Sequence, residues 1–292
     1  MKFLTAILTS RDVKKCERTV LSIPDSADIL IVVNSMNAGH EYDIRDSEIC
    51  NKHKIISTKS NGSPGTGKNS VLKYFCDTAY DRLILIDGDD FFLPDGHELL
   101  VNTIKDNPDI DILGLQGEVV LLNNKTTYWK GSEGLDVKAM LDTAQVKSPN
   151  EITNTLQFIA STTPLVYKNG WTFHRFIVYN KKSAAIVKFS PVLTFEDIIA
   201  SCDVQLMHDK KQLNFTLFES RNVYVYDRTD IEGVSTTMLK ENDTFHMGLF
   251  FENYKEHELS KFPEIVLPCL YDMRHITDEQ RQKTVFDYIE KF

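Results

Sequence analysis

The sequence predicts an α/β fold with a largely parallel sheet, because short apolar segments alternate with amphipathic helical segments through its first 125 residues. The first apolar segment, Phe3 to Leu8, is typical of a buried strand. Asp12 to Leu21 has a helical spacing of apolar residues, with Asp12 as the N-cap. Ile29 to Val33 repeats the pattern of a buried strand. Strands that alternate with helices are joined by crossovers, which place them parallel in one sheet.

The same alternation continues to residue 122 and then changes character. Up to that point we predict a strand at Ile55–Ile56, a helix at Gly67–Ala79, a strand at Leu83–Ile86, a helix after Pro94 and a strand region at Ile112–Leu122. Beyond it we predict a polar loop or lid at Lys130–Asn154, an aromatic-rich β-hairpin at Val166–Ile186, a helix at Glu196–Met207, a strand at Val223–Tyr226 and two helices at Asp243–Leu259 and Thr277–Phe292.

The composition excludes several classes of protein. Lys and Arg total 33 against 42 Asp and Glu, a net charge of −9, so the chain lacks the basic surface of a nucleic-acid-binding protein. The cysteines are scattered without a CxxC pair, which favours free thiols in a reducing compartment. The apolar start is short and is followed at once by charges, unlike a signal peptide, and no run approaches the ~20 apolar residues of a membrane span. We therefore expect a cytoplasmic protein without a transmembrane segment.

Three carboxylates directly follow the predicted strand Leu83–Ile86: Asp87, Asp89 and Asp90, with Gly88 after the first. Carboxylates held this close together are costly without a cation, because each disfavours ionisation of the others. The carboxyl ends of strands are also the edge at which open α/β sheets bind ligands. A hard divalent ion, Mn²⁺ or Mg²⁺, would neutralise the acids and bridge a diphosphate. A solvated acidic turn is the alternative, since Asp-x-Asp triplets are common.

Residues 62–68 also fit the phosphate-loop pattern G-x-x-x-x-G-K, and Leu83–Asp87 resembles a Walker B strand. In a nucleoside triphosphatase the residue after the lysine is Ser or Thr, which holds magnesium, whereas here it is Asn69. A phosphate loop also follows its strand immediately, yet residues 58–61 intervene after the apolar Ile55–Ile56. The nucleoside triphosphatase interpretation is therefore the weaker one, and a Gly-rich turn before a helix stays open.

The run from Asn61 to Pro94 resembles the sugar-donor signature of family 2-like glycosyltransferases with the GT-A fold. That signature has Asn-x-Gly, a basic residue followed by Asn, a helix, an apolar strand, Asp-x-Asp-Asp and a Pro. Here its places hold Asn61-Gly62, Lys68-Asn69, Leu83–Ile86, Asp87-Gly88-Asp89-Asp90 and Pro94. Asn61 and Gly62 are adjacent rather than separated, and Lys68 stands where the family usually has Arg. Asn69, unexpected in a Walker motif, is expected in this family. The similarity covers residues 1 to about 228.

The resemblance implies a GT-A-like sheet and a metal-dependent, inverting glycosyltransferase. Its sugar donor would be a nucleoside-diphosphate sugar, with a UDP-sugar favoured, and its acceptor the hydroxyl of a glycan or another molecule. The metal, Mn²⁺ or Mg²⁺, is implied on Asp87 and Asp89, with Asp89 the first choice. Contacts to the nucleotide sugar are implied for Thr9, Ser10, Arg11, Asn34, Asn61, Lys68, Asn69, Asp87 and Gly88. The family commonly has Asp where Asn34 stands, so the identity of the base stays open.

Thr194-Phe195-Glu196-Asp197 resembles the Glu-Asp motif of the same family. The resemblance makes Asp197 the general base, with Glu196 as the other catalytic carboxylate; alternatively both acids only complement a helix N-terminus. His246 is the first candidate for a third metal ligand and His208 the second, although lone histidines are usually structural. An aromatic and basic cluster could stack an acceptor sugar or simply pack the predicted hairpin: Trp171, Phe173, His174, Arg175 and Tyr179.

The resemblance, together with the two helices predicted in the tail, divides the chain into three segments. Residues 1–125 would bind the sugar donor, 126–238 would form the acceptor and catalytic half of the same domain, and 239–292 would be a helical extension. Two other classes stay open, a P-loop-like nucleoside triphosphatase and a non-catalytic nucleotide-sugar-binding module. A nucleotidyltransferase on the same fold is a lesser alternative, because Leu8 to Lys15 lacks its Gly-rich basic signature.

Overall fold

A computed structural model of the chain describes residues 1–58, 63–116, 118–123, 135–136, 154–159, 175–189, 196–219, 221 and 223–229. The strands are β1 (Phe3–Thr9), β2 (Asp28–Val33), β3 (Lys54–Ser57), β4 (Arg82–Asp87), β5 (Phe91–Phe92), β6 (Ile112–Gln116), β7 (Glu118–Asn123), β8 (Leu135–Asp136), β9 (Asn154–Ile159), β10 (Arg175–Asn180), β11 (Phe215–Glu219) and β12 (Tyr224–Arg228). The helices are α1 (Val13–Leu21), α2 (Ala38–Asp46), α3 (Pro64–Cys76), α4 (Gly96–Asp106), α5 (Lys181–Ile186) and α6 (Glu196–Asp209), with a 3-10 helix at Cys50–Lys52.

Seven strands form the central sheet, in the order β3-β2-β1-β4-β10-β6-β11. Neighbouring strands are parallel throughout except at β10, which is antiparallel to both β4 and β6. The prediction of an α/β fold with a largely parallel sheet is confirmed. Because the strands β1, β2 and β4 run in the same direction, their carboxyl ends meet at one edge of the sheet.

The sheet is covered by helices on both faces because its central strands are apolar on both sides. In β1, Ile7 belongs to one buried cluster, while its neighbours Ala6 and Leu8 belong to the other. The first cluster contains residues of α1, α2 and α4, and the second contains residues of α3, α5 and α6. Strands buried on both faces read as continuous apolar runs, which is the pattern from which β1, β2 and β4 were predicted.

A second sheet has five strands in the order β5-β12-β7-β9-β8. β5 begins one residue after Asp90, and it pairs with β12 through Tyr224 opposite Phe92 and Val225 opposite Phe91. β12 also pairs in parallel with β7. The acidic turn at residues 87–90 therefore lies between the last residue of a central strand and the first strand of the second sheet.

Two sequence predictions are wrong in detail. The region Ile112–Leu122 forms two strands, β6 and β7, which belong to different sheets. The proposed hairpin Val166–Ile186 contains the strand β10, but residues 181–186 form the helix α5. The side chain of Asn180 accepts from the main-chain nitrogen of Ser183, and the Ser183 hydroxyl accepts in return from the main-chain nitrogen of Asn180. This reciprocal capping starts a helix directly at the strand end.

Several predicted elements lie outside the described residues. These are residues 166–174 of the hairpin, the helices at Asp243–Leu259 and Thr277–Phe292, and most of the loop at Lys130–Asn154, where Leu135–Asp136 forms β8. The helix α2 and the strand β11 were not predicted. Within the described part of the chain, no helix has the length and apolar character needed to cross a bilayer.

Candidate functional site

The acidic turn lies at the edge of the sheet where parallel strands end. In the pairing of β4 with β1, Asp87 lies opposite Leu8, one residue before Thr9 at the end of β1. β10 runs in the opposite direction, so its first residue, Arg175, lies at this same edge. The antiparallel strand therefore places a guanidinium group at an edge that otherwise consists of the carboxyl ends of strands.

Gly88 fits the turn because the chain passes close to β1 at this point. Its main-chain nitrogen donates to the Leu8 carbonyl oxygen at 2.7 Å. A Cβ atom at position 88 would lie 2.8 Å from Thr9 Cβ and 3.1 Å from Leu8 O. Contacts that short would force the turn away from β1, so a side chain at this position would displace the neighbouring carboxylates.

Asp87 is held by two basic side chains from distant parts of the chain. Arg175 Nη1 lies 3.3 Å from Asp87 Oδ2, and Lys68 Nζ lies 3.7 Å from the same oxygen. Arg175 is itself stacked over the ring of Tyr226, with its guanidinium carbon 4.4 Å from the ring centroid. The two cations neutralise part of the negative charge of the turn and fix Asp87 in place.

Asp90 is fully buried and connects the turn to the second sheet. Its Oδ2 accepts a hydrogen bond from the Tyr224 hydroxyl, and its Oδ1 accepts from the main-chain nitrogen of Asp227 at 2.9 Å. Arg175 Nη1 lies 3.5 Å from Asp90 Oδ2. Burial, together with the charge of Asp89, raises the pKa of Asp90 well above its usual range. Asp90 therefore anchors β12 and has no carboxylate oxygen directed to a ligand.

Asp89 differs from its neighbours in the turn, because it has no ion-pair partner within the part of the chain that the structure describes. Among the described residues, no Lys, Arg or His nitrogen lies within ion-pair distance of it, in contrast to Asp87 and Asp90. Burial and the negative charge of Asp87 raise the pKa of Asp89, and the charge of Lys15 opposes them. A raised pKa means that the fold disfavours the ionised carboxylate. The group is thus suited to a cation supplied from outside the chain.

The first turn of α6 joins this site through Lys68, which is buried on α3. Lys68 Nζ donates to Glu196 Oε1 at 2.9 Å, in addition to its contact with Asp87. Burial alone would lower the pKa of Lys68, but the charges of Asp87, Glu196 and Asp197 outweigh it and raise the pKa. Burial likewise raises the pKa of Glu196, although Lys68 partly offsets the effect.

Glu196 and Asp197 differ in their surroundings, although they are adjacent. Glu196 is buried and ion-paired with Lys68. Asp197 is partly exposed and lines a cavity of about 30 Å³ together with Lys68, Asp87 and Arg175. The structure therefore places both members of the predicted Glu-Asp motif beside the acidic turn, with Asp197 the more accessible.

Asn69 forms a pair of hydrogen bonds with the main chain of Phe189. Its Nδ2 donates to the Phe189 carbonyl oxygen at 2.7 Å, and its Oδ1 accepts from the Phe189 nitrogen at 2.8 Å. The amide thus imitates a strand pairing and fixes the segment before α6. Asn69 was predicted to contact the nucleotide, but both of its amide atoms are used here within the protein.

Asn34 and Thr9, also predicted as nucleotide contacts, are buried with internal partners. Asn34 Nδ2 donates to the Ser63 carbonyl oxygen at 2.9 Å, and its Oδ1 accepts from the Thr58 hydroxyl at 2.7 Å. A Cβ on Gly67 would lie 2.6 Å from Asn34 Nδ2, so α3 approaches this side chain closely. The Thr9 hydroxyl hydrogen-bonds to His40 Nε2 at 3.0 Å. The loop residues Ser10 and Arg11 are partly exposed at the same edge.

Comparisons with known proteins identify the architecture. A scan against protein-family models finds no match, and a search of curated proteins finds none.

Among solved structures, S. aureus TarS 1-349 in complex with UDP-GlcNAc matches with a TM-score of 0.57 and 12% identity, over 100% of this chain and 80% of that chain. A second structure of TarS 1-349 matches at 0.51 and 12% identity, over 99% of this chain and 79% of that one. The mannosyltransferase PcManGT from Pyrobaculum calidifontis, in complex with GDP-Man and Mn²⁺, matches at 0.47 and 10% identity, over 99% and 74%.

The TarS structures have the GT-A fold. This chain has a GT-A-like fold. The expectation drawn from the motif between Asn61 and Pro94 is thereby confirmed at the level of fold. The acidic turn of this GT-A-like sheet follows its central strand β4, and Thr9 ends the adjacent strand β1.

The GT-A-like site offers oxygen ligands of the kind that Mn²⁺ and Mg²⁺ prefer. Within the described ranges, no group of three or more His, Cys, Asp or Glu side chains is arranged to hold a metal ion. Magnesium-type sites commonly use only one or two carboxylates, with the remaining positions filled by water and substrate phosphates. Asp89, which is beside Asp87 and has no ion-pair partner among the described residues, fits a site of that kind.

Some predicted site residues cannot be placed, and one lies elsewhere. Those outside the described residues are Asn61, Trp171, Phe173, His174 and His246. His208, the second choice for a metal ligand, packs against Phe215 at the opposite edge of the sheet and hydrogen-bonds to the Leu213 carbonyl oxygen at 3.1 Å. The Tyr179 hydroxyl is buried and donates to the Phe176 carbonyl oxygen at 2.8 Å. Arg175 contacts the acidic turn directly, a role that the sequence did not suggest.

Proposed function

We propose that this chain is a metal-dependent glycosyltransferase that transfers a sugar from a nucleoside-diphosphate donor to an acceptor hydroxyl. The observation that carries the proposal is that the three carboxylates of the acidic turn have different partners in this GT-A-like sheet. Lys68 and Arg175 hold Asp87, Asp90 anchors β12, and Asp89 lies beside them with no ion-paired Lys, Arg or His among the described residues. A purely structural acidic turn would gain nothing from a partly buried carboxylate whose charge the fold disfavours.

Asp89 would hold Mn²⁺ or Mg²⁺, with Asp87 as the second oxygen donor in its vicinity. When bound, the ion neutralises the charge that develops on the leaving nucleoside diphosphate. Lys68 and Arg175 hold the Asp87 carboxylate through contacts of 3.7 and 3.3 Å to its Oδ2, and they add positive charge beside it. Ser10 and Arg11, at the end of β1, are the accessible residues of the predicted nucleotide loop. TarS 1-349 is described in complex with UDP-GlcNAc, so a UDP-sugar is the first donor to test.

Asp197 is proposed as the general base that removes the proton of the acceptor hydroxyl. Its carboxylate is partly exposed and lines the same cavity as Asp87, whereas Glu196 is buried against Lys68. Glu196 is therefore assigned to holding the first turn of α6. A single base acting on the acceptor, opposite the leaving diphosphate, gives inversion at the anomeric carbon.

The proposal is tested by measuring UDP released from a panel of UDP-sugars, in Mn²⁺ and in EDTA, with and without acceptor glycans. We expect release that requires both the metal ion and an acceptor. Asp197→Asn should lower the rate by about 10²–10⁴-fold, the usual contribution of a general base, with little change in the affinity for the sugar donor. Asp106→Asn, an exposed acid at the end of α4, serves as the matched control and should leave the rate unchanged.

The same assay separates the alternatives by their products. A nucleotidyltransferase would release pyrophosphate from a nucleoside triphosphate and a sugar phosphate. A nucleoside triphosphatase would release phosphate from ATP without any acceptor, and a binding module would bind the UDP-sugar without turnover. Any of these three results would replace the proposed function.

A further inference from the structure

Three side chains at the end of helix α1 contact the acidic turn: Arg18 and Thr19 in the helix and Ser22, its C-cap residue. The Thr19 hydroxyl lies 2.5 Å from the Asp90 carbonyl oxygen and 3.1 Å from the Gly88 carbonyl oxygen. Arg18 Nη2 donates to the Asp89 carbonyl oxygen at 2.6 Å. The Ser22 hydroxyl accepts from the main-chain nitrogen of Phe92 at 3.0 Å. The end of α1, with its C-cap residue, therefore holds main-chain atoms of Gly88, Asp89, Asp90 and Phe92.

These contacts are buried or partly buried and have support of their own. Thr19 is fully buried, and its hydroxyl has three main-chain acceptors within reach: the Asp90 oxygen at 2.5 Å is closer than the Gly88 and Lys15 oxygens, which are both at 3.1 Å. Arg18 Nη2 also lies 2.6 Å from Asp227 Oδ2, and its guanidinium carbon is 4.3 Å from the centroid of the Phe91 ring. A guanidinium that is fixed by a carboxylate and a ring presents its remaining donors in a defined direction.

We propose that Thr19 and Arg18 are positioning residues that set the direction of the Asp89 carboxylate by holding the main chain on either side of it. The inference rests on the proposed function, in which Asp89 is the metal ligand. A carboxylate that must meet a metal ion at about 2.0–2.2 Å tolerates little displacement. Because α1 begins just after the loop of Ser10 and Arg11, the same helix also links the nucleotide loop to the metal ligand.

The test is a calorimetric titration of the protein with UDP in Mn²⁺ and, separately, with UDP in EDTA. Thr19→Val keeps the shape of the side chain but removes the hydroxyl. We expect the dissociation constant for UDP in Mn²⁺ to rise about tenfold, equivalent to about 1.4 kcal/mol, while that for UDP in EDTA stays as in the unaltered protein. Thr19→Ser, which restores the hydroxyl, should return most of the affinity.

Thr103→Val is the matched control, because Thr103 is a partly exposed threonine on α4 whose hydroxyl donates to the Leu99 carbonyl oxygen at 2.8 Å. It should leave both titrations unchanged. Arg18→Gln provides a second variant if Thr19→Val unfolds, and it should weaken binding in Mn²⁺ in the same selective way. Equal affinities of the unaltered protein and both α1 variants in Mn²⁺ would overturn the inference alone. Equal affinities in Mn²⁺ and EDTA for the unaltered protein would overturn the metal site, and with it the proposed function.

Discussion

Lys68 Nζ lies 2.9 Å from Glu196 Oε1, although 128 residues separate the two in the chain. This buried ion pair joins α3 to the first turn of α6, and the same ammonium group is 3.7 Å from Asp87. Lys68 therefore connects the acidic turn to the neighbour of the proposed base. In a P-loop protein the corresponding lysine would instead reach toward nucleotide phosphates.

The first prediction concerns this ion pair. Lys68→Met should lower the free energy of unfolding by about 3–5 kcal/mol, because it leaves Glu196 buried and unpaired. The double variant Lys68→Met/Glu196→Gln should be less destabilised than the sum of the two single variants, since the second change removes the unpaired charge. Urea denaturation at pH 7 measures each difference. Lys14→Met is the control, because the Lys14 side chain is exposed although its partner Glu17 is partly buried, and the change should scarcely shift the midpoint. Simple additivity would show that the buried pair is not energetically coupled.

A second prediction separates Asp90 from Asp89 by their effects on stability. Asp90→Ala leaves the Tyr224 hydroxyl and the Asp227 main-chain nitrogen without their acceptor, and should cost about 3 kcal/mol or more. Asp89→Ala should be neutral or slightly stabilising in EDTA, because the fold disfavours this charge. Chemical denaturation in EDTA gives both values. Equal losses in the two variants would refute the assignment of Asp90 as anchor and Asp89 as ligand.

A third prediction distinguishes the phosphate-loop pattern from the actual role of Asn69. Asn69→Thr restores a formal Walker A sequence but removes both hydrogen bonds to the main chain of Phe189. It should confer no ATP hydrolysis and should cost about 2 kcal/mol of stability, at about 1 kcal/mol for each hydrogen bond. Phosphate release and thermal unfolding report the two effects, with Asn102→Thr on the exposed face of α4 as the control. Metal-dependent ATP hydrolysis by either protein would revive the triphosphatase hypothesis.

The fourth prediction concerns pH. His97 is buried, with its Nε2 2.8 Å from the Thr5 hydroxyl, and burial lowers its pKa to about 4. Between pH 6.5 and 4 the unfolded chain therefore binds a proton that the folded protein excludes. Titration of His97 therefore leaves the free energy of unfolding unchanged above pH 6.5. As the pH falls toward 4, it lowers the free energy of unfolding by about 3 kcal/mol in total.

The His97 contribution is isolated by comparing the unaltered protein with His97→Gln. Glu196 and Asp203, whose pKa values burial raises to about 7, act in the opposite direction, since protonation at lower pH relieves their buried charge. The pH dependence of stability in the unaltered protein alone therefore combines all three groups. The difference in stability between the two proteins removes the contribution of the two acids, which both proteins share. Denaturation curves from pH 4 to 7 should show that difference shrinking as the pH falls. A difference independent of pH would mean that His97 titrates normally.

The parts of the fold that the sequence predicts are those set by local patterns. The apolar runs of β1, β2 and β4 and the helical spacing of α3 identify these elements, and the order of strands and helices predicts a parallel sheet. The position of Asp87 at the edge where the parallel strands end follows from its place at the end of an apolar run. Each of these features depends on residues close together in the chain.

The parts that were missed depend on pairing between distant segments. Nothing in residues 175–180 indicates that β10 runs antiparallel, so the contact of Arg175 with Asp87 could not be read from the sequence. The anchoring of Asp90 by Tyr224 likewise spans 134 residues. Thr19 and Arg18 resemble ordinary residues of an amphipathic helix, and only the fold brings them against residues 88–90. Asn34 and Asn69 stand at positions where the resemblance implies a contact to the nucleotide. Their amides instead hold loops within the protein.

The central claim, a metal-dependent sugar-donor site at Asp89, is tested most directly by titrating UDP-GlcNAc into the unaltered protein and into Asp89→Asn, each in Mn²⁺ and in EDTA. We expect the unaltered protein to bind at least about tenfold more tightly in Mn²⁺, a difference of about 1.4 kcal/mol, because Asp89 would hold an ion that supplies positive charge to the diphosphate. Asp89→Asn should bind equally weakly in both solutions, while Asp106→Asn should retain the difference. Affinities that do not depend on the metal ion, or a metal effect that survives in Asp89→Asn, would contradict the account.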